Sequence, residues 1–144
     1  MFDVRSLKLT LDKMATIKDF EDLEIWQHAR EQCSRIYEIT RKETFNKEFE
    51  LKGQIKRSSG SVMDNIAEGF ERGGNAEFIN FLGIAKGSNG EVRSQLHRAI
   101  DNAFISQDEF ELNFEKNKIL GKKINSFIDY LKNTNMKGFK FHKL

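Results

Sequence analysis

The chain of 144 residues has no proline and one cysteine, Cys33. With no proline, nothing in it forces a break or kink in a helix. One cysteine excludes an intramolecular disulfide and gives no sign of an oxidising compartment. Cys33 falls on an apolar helical stripe and reads as a small buried hydrophobe rather than a reactive thiol. No apolar run approaches the roughly 20 residues needed to span a bilayer. The N-terminal run MFDVRSLKLTLDK lacks the uninterrupted apolar centre of a signal peptide. A cytoplasmic protein without a membrane partner is expected.

Residues for catalysis are also sparse. The three histidines are His28, His97 and His142. Ile25 and Ser94 stand three residues before the first two, so the Glu-x-x-His motif of a di-iron bundle is missing. Ser58, Ser59 and Ser61 have no histidine close in sequence and no nucleophile elbow, which makes helix packing their better explanation. RGGNAEF, beginning at Arg72, follows no strand and leads to no Gly-Lys-Ser/Thr, so it reads as a turn between helices rather than a phosphate loop. No catalytic residue, metal or cofactor is expected, and the chain is read as not an enzyme.

What the chain does have is helical periodicity. Charged residues make up 32% of it, and apolar residues recur in threes and fours. Thirteen phenylalanines against two tyrosines and one tryptophan suit a core of rings with no polar handle to satisfy. Helices are expected at about 23–43, 47–72, 75–105 and 108–133, with Asp22 and Asn75 as N-caps and Gly73–Gly74 as a stop. The inward positions are Trp26, Ala29, Cys33, Ile36 and Thr40 on the first helix, and Leu51, Ile55, Ser59, Val62, Ile66 and Phe70 on the second. The third carries Phe78, Leu82, Ala85, Asn89, Val92, Leu96, Ala99 and Ala103. The fourth carries Phe110, Phe114, Ile124, Phe127, Ile128 and Leu131. Short connections then give an all-α, antiparallel up-down-up-down four-helix bundle over residues 20–133, preceded by a loose leader at 1–19 and followed by a basic aromatic tail at 134–144.

Small residues add a second layer. Gly53, Gly60 and Ala67 recur on the second helix, and Gly83, Gly87, Gly90 and Ser94 on the third. Each interior glycine costs about 1 kcal/mol of helix stability relative to alanine, so close backbone approach along these tracks is expected, by another helix of the chain, a neighbouring subunit or a nucleic-acid backbone. Asn89 on the core seam is expected to fix register, and its replacement by leucine to leave stability unchanged or raised. A hairpin about Gly73 would bring Arg57 opposite Asn89, with Glu91 near Ile55. Arg57, Asn65, Glu68, Arg72, Asn89 and Glu91 are therefore candidates for a structural polar network.

The segments DFEDLEIWQHA (19–29), QIKRSSGSVMDNIAEGFER (54–72) and FINFLGIAKGSNGEVRSQL (78–96) resemble the four-helix-bundle proteins encoded by intervening sequences in bacterial large-subunit ribosomal RNA genes, the S23-like family. The likeness is close from Phe20 to Ala103 and follows by pattern on the fourth helix. It implies a ring-like homopentamer without enzymatic activity. It also implies kinship with accessory proteins of diversity-generating retroelements, which bind nucleic acid and a reverse transcriptase. Met63 and Asp64 stand where the family commonly has proline, which suggests a straighter second helix and a weaker phosphate-binding role there.

Charge separates two functional readings. The net charge of +2 comes from 24 basic and 22 acidic residues, and the second, third and fourth helices are each internally balanced, so no helix is a basic rod. The tail MKGFKFHKL carries Lys137, Lys140 and Lys143 among rings that can stack on bases. Lys52, Lys56 and Arg57, with Arg93 and Arg98, are candidates for a second basic surface. A homo-oligomeric accessory protein binding nucleic acid, RNA before DNA, is one reading. A scaffold that binds only proteins is the other. Ile25, Ile79 and Ile84, off the core seams, are the expected subunit interface.

Overall fold

The computed structural model describes residues 17–134 as an antiparallel up-down-up-down bundle of four long helices, with no strand among the described residues. The long helices are α1 (Glu24–Thr40), α3 (Phe49–Arg72), α4 (Asn75–Asp101) and α5 (Gln107–Asn133), and a single short turn of helix, α2 (Glu43–Asn46), joins α1 to α3. Sequential long helices are neighbours, and α5 closes the bundle against α1.

The ends are set by local chemistry. Asp22, expected to cap the first helix, instead belongs to a 3-10 turn, Phe20–Asp22, where its Oδ2 accepts from the backbone N–H of Asp19 at 3.0 Å. Leu23 takes the N-cap position of α1 and is buried at the base of the core. At the other hairpin Gly73 ends α3 with φ 95°, a left-handed conformation that glycine adopts without a Cβ penalty. Gly74, not Asn75, is the N-cap of α4.

α4 stops at Asp101, short of the expected end near residue 105. Ala103 turns left-handed with φ 59°, and the N–H of Phe104 returns to the carbonyl of Ala99 at 2.9 Å, so Ala103 leaves the core seam and is exposed. Ser106 then opens α5 with a capping box. Its Oγ accepts from the Glu109 N–H at 3.1 Å, and Glu109 Oε1 accepts from the Ser106 N–H at 2.8 Å.

Apolar residues form two clusters. One gathers Ala29, Val62, Ile66, Phe70, Phe78, Leu82, Leu120 and Ile124, and the other Ile36, Phe45, Leu51, Ile55, Val92, Leu96 and Ile105. Between them lies a polar layer to which each long helix contributes one buried residue: Gln32, Ser59, Asn89 and Asn117. Gln32 Nε2 donates to Asn89 Oδ1 at 3.0 Å, and Asn117 Nδ2 donates to Gln32 Oε1 at 2.8 Å. This network ties α1, α4 and α5 together at mid-height.

The expected inward faces of α3 and α4 are buried throughout, apart from Ala103. On α1 the seam is rotated. Ile25, Gln32 and Ile39 are buried beside Ala29 and Ile36, whereas Trp26 and Cys33 are only half-buried. Ile25 is therefore core rather than interface, Ile79 packs at the core's edge, and of the three only Ile84 is well exposed.

Within the chain, the small-residue tracks do not mark close approach between helices. A Cβ added at Gly60, Gly83, Gly87 or Gly90 would meet nothing within 4 Å. Close contact occurs instead at Gly69, where an added Cβ would lie 2.7 Å from Phe81 Cβ. α3 lies against α4 about one helical turn from the expected register, with Ser61 Oγ 2.9 Å from Ser88 Oγ. Glu91 consequently accepts from Ser58 Oγ at 3.4 Å, and Arg57 reaches neither Glu91 nor Asn89. Arg57 is exposed, its guanidinium lying back over Gly53. Asn65 Nδ2 donates to Ser61 Oγ at 2.9 Å, and Arg72 pairs with Glu68 at 3.0 Å on the surface.

Candidate nucleic-acid interface

The candidate cations do not converge on one surface. Lys52 Nζ donates to the Asn46 carbonyl at 2.9 Å and lies 4.8 Å from the Phe49 ring centre. Lys56 sits 4.4 Å above Tyr37, on the α1 side of α3. Arg98 donates to Gln54 Oε1 at 2.9 Å across the α3–α4 seam. Lys137, Lys140 and Lys143 lie outside the described residues.

Arg93 points elsewhere, into a groove of about 480 Å³ between α4 and α5. Four cations line it: Lys86 and Arg93 from α4, Lys118 and Lys122 from α5. Gly90, Gly121 and Asn89 complete the lining with Asn125 and Ser126, and no carboxylate is among these residues. The ion pairs among the described residues (His28–Glu24, Lys42–Glu109, Arg72–Glu68 and Lys123–Glu24) leave all four groove cations out. Lys86 Nζ is positioned by Asn125 Oδ1 at 2.7 Å, and Lys118 Nζ lies 5.5 Å from the Phe114 ring centre.

Sequence spacing explains the convergence. Lys86 and Arg93 are two turns apart on α4, and Lys118 and Lys122 are one turn apart on α5, so each pair shares a helix face. Both helices carry glycine there, in different surroundings. Gly90 leaves free space, and a Cβ at Gly121 would press on Asn89 Nδ2 at 3.2 Å. Asn89 reaches the lining from the buried polar layer, where its Nδ2 donates to the Asn117 carbonyl at 3.1 Å.

At the Arg93–Lys118 end stands a cluster of rings. Exposed His97 meets Phe110 and Phe114 edge-on, with centroids 5.0 and 5.5 Å away, and the two phenylalanines stack at 5.4 Å. His97 lies one turn from Arg93, as Phe114 does from Lys118. A surface with unpaired cations beside an exposed ring can neutralise phosphates and stack a base. Among the described residues no group of three or more His, Cys, Asp or Glu could hold a metal ion, and no helix is long and apolar enough to cross a membrane.

Residues 21–126 match the 23S rRNA-intervening sequence protein family, a span containing every residue of the groove and ring cluster. The chain belongs to this family. A solved structural relative is a protein of unknown function from the S23 ribosomal protein family of Bacteroides thetaiotaomicron. It is 29% identical with a TM-score of 0.67, over 72% of this chain and 97% of that one. No curated protein matches the chain. Family membership agrees with the bundle and adds no residue to the groove.

Lys86, Lys118, Lys122 and His97 were absent from the sequence-based candidates. Their signal in the sequence was the repeat of cations on one face of each of two helices, with glycine between them.

Proposed function

We propose that the chain is a non-enzymatic, homo-oligomeric nucleic-acid-binding protein that acts as an accessory factor in the cytoplasm. The observation that carries this reading is the α4–α5 groove, where four cations gather with no acidic residue in the lining. Phosphates are the complementary ligand. The family takes its description from intervening sequences of 23S rRNA, which favours RNA over DNA.

Self-association is supported by the outward side of α4, where Gly83 and Gly87 leave open space beside Ile84, 47% exposed. A second subunit can approach such a smooth strip closely, and a ring of five is favoured by family resemblance. Repeating a groove around a ring raises avidity for a polyanion without new contacts.

A salt titration of binding to structured RNA, run with light scattering, tests the proposal. An oligomer whose RNA affinity falls steeply with salt supports it. An oligomer that binds no RNA at low salt favours a protein scaffold. A monomer contradicts the multivalent form of the proposal.

A further inference from the structure

We infer that the α4–α5 groove holds a single strand lengthwise, its phosphates along the cations and one base stacked on His97, an assignment that rests on the nucleic-acid reading above. Adjacent packed helices lie only about 8–10 Å apart, so the trough between them admits one backbone and not the body of a duplex. Lys86 and Arg93, two turns apart, are separated by about 10 Å along α4. At about 3.4 Å per stacked nucleotide, that distance spans about three nucleotides of one strand.

The ring cluster decides between strand and duplex. His97 is exposed and continues the groove past Arg93, while Phe110 and Phe114 brace it from beneath. A base paired inside a helix offers no face to such a platform, whereas an unpaired base does. The open floor at Gly90 lets a backbone approach.

Fluorescence anisotropy with a 12-nucleotide single-stranded RNA and the same sequence as a duplex tests the assignment, using the intact chain at several salt concentrations. The single strand should bind about tenfold tighter than the duplex. H97A should weaken the single strand about tenfold without changing the salt slope, because stacking releases no counterions, and H97Y should restore it. K118Q/K122Q should lower the slope by about 1.4, about 0.7 for each lost phosphate contact. G90L should block the groove while keeping the helical circular-dichroism signal. Equal binding of both forms with H97A silent would overturn the strand assignment and leave the nucleic-acid reading standing. RNA binding that none of the groove variants changes would move the site elsewhere and overturn the inference alone. Absence of binding to either form at low salt would overturn the function itself.

Discussion

Asn89 and Asn117 bond to each other's backbone across the α4–α5 interface: Asn89 Nδ2 donates to the Asn117 carbonyl at 3.1 Å, and Asn117 Nδ2 donates to the Asn89 carbonyl at 3.0 Å. With Gln32 they fill the layer between two apolar clusters, and all three are almost wholly buried. The consequence for Asn89→Leu is opposite to the sequence-based expectation. Leucine removes the acceptor of Gln32 Nε2 and leaves a buried donor unsatisfied, so a loss of about 2 kcal/mol is expected. Replacing Gln32, Asn89 and Asn117 together by leucine removes every partner at once and should cost much less, or stabilise. Urea unfolding of the single and triple variants measures both. A triple variant less stable than the single one would contradict the reading that the three amides act as one polar unit.

Glycines on the two sides of the bundle should respond in opposite directions. Gly83→Ala and Gly87→Ala enter open space and should each stabilise by about 0.5–1 kcal/mol through helix propensity. Gly69→Ala drives a methyl against Phe81 and should lose about 1–3 kcal/mol through overpacking. Thermal melts would show the contrast. If Gly83→Ala and Gly87→Ala also dissociate the oligomer, the strip is the subunit contact.

Ala103 holds a left-handed conformation in which an L side chain is strained. Ala103→Gly should stabilise the chain by about 1 kcal/mol, since its exposed methyl contributes little packing. Chemical denaturation checks this, and an unchanged midpoint would contradict it.

The Glu109 carboxyl has a depressed pKa. Burial pushes it up, but the hydrogen bond from Lys42, those from the Ser106 N–H and hydroxyl, and the Lys42 charge together hold it below the ordinary carboxylate range. A group depressed by folding contributes stability above its unfolded pKa and loses it as pH falls through the folded value. The wild type should therefore exceed Glu109→Gln at neutral pH, and the gap should close in acid. Unfolding free energies from about pH 6 to about pH 2 would show it. A gap that widens in acid would contradict this sign.

The fold was legible because the buried faces of α3 and α4 repeat every three or four residues, and because Gly73 can stop a helix only by turning left-handed. The α3–α4 register was not, since it depends on contacts between residues on different helices, such as Gly69 against Phe81 and Ser61 against Ser88. What faces the glycine tracks was hidden for a related reason: glycine weakens a helix equally whether its open side faces a neighbour or solvent. Spacing identifies a face and not its surroundings. The groove was hidden because its two halves are remote in sequence, and Glu115 beside Lys118 averages the local charge toward neutrality. Only the antiparallel pairing of α4 with α5 puts Arg93 and Lys118 in one trough.

The salt dependence of RNA affinity in the variant K86Q/R93Q/K118Q/K122Q, set beside K137Q/K140Q/K143Q in the tail, tests the central claim most directly. The account predicts a steep slope of log K against log salt for the wild type. The slope should flatten by about 2.8 in the groove variant, about 0.7 per lost contact, and change less in the tail variant, with the oligomer intact in both. An unchanged slope in the groove variant, with the tail variant losing binding, would contradict it.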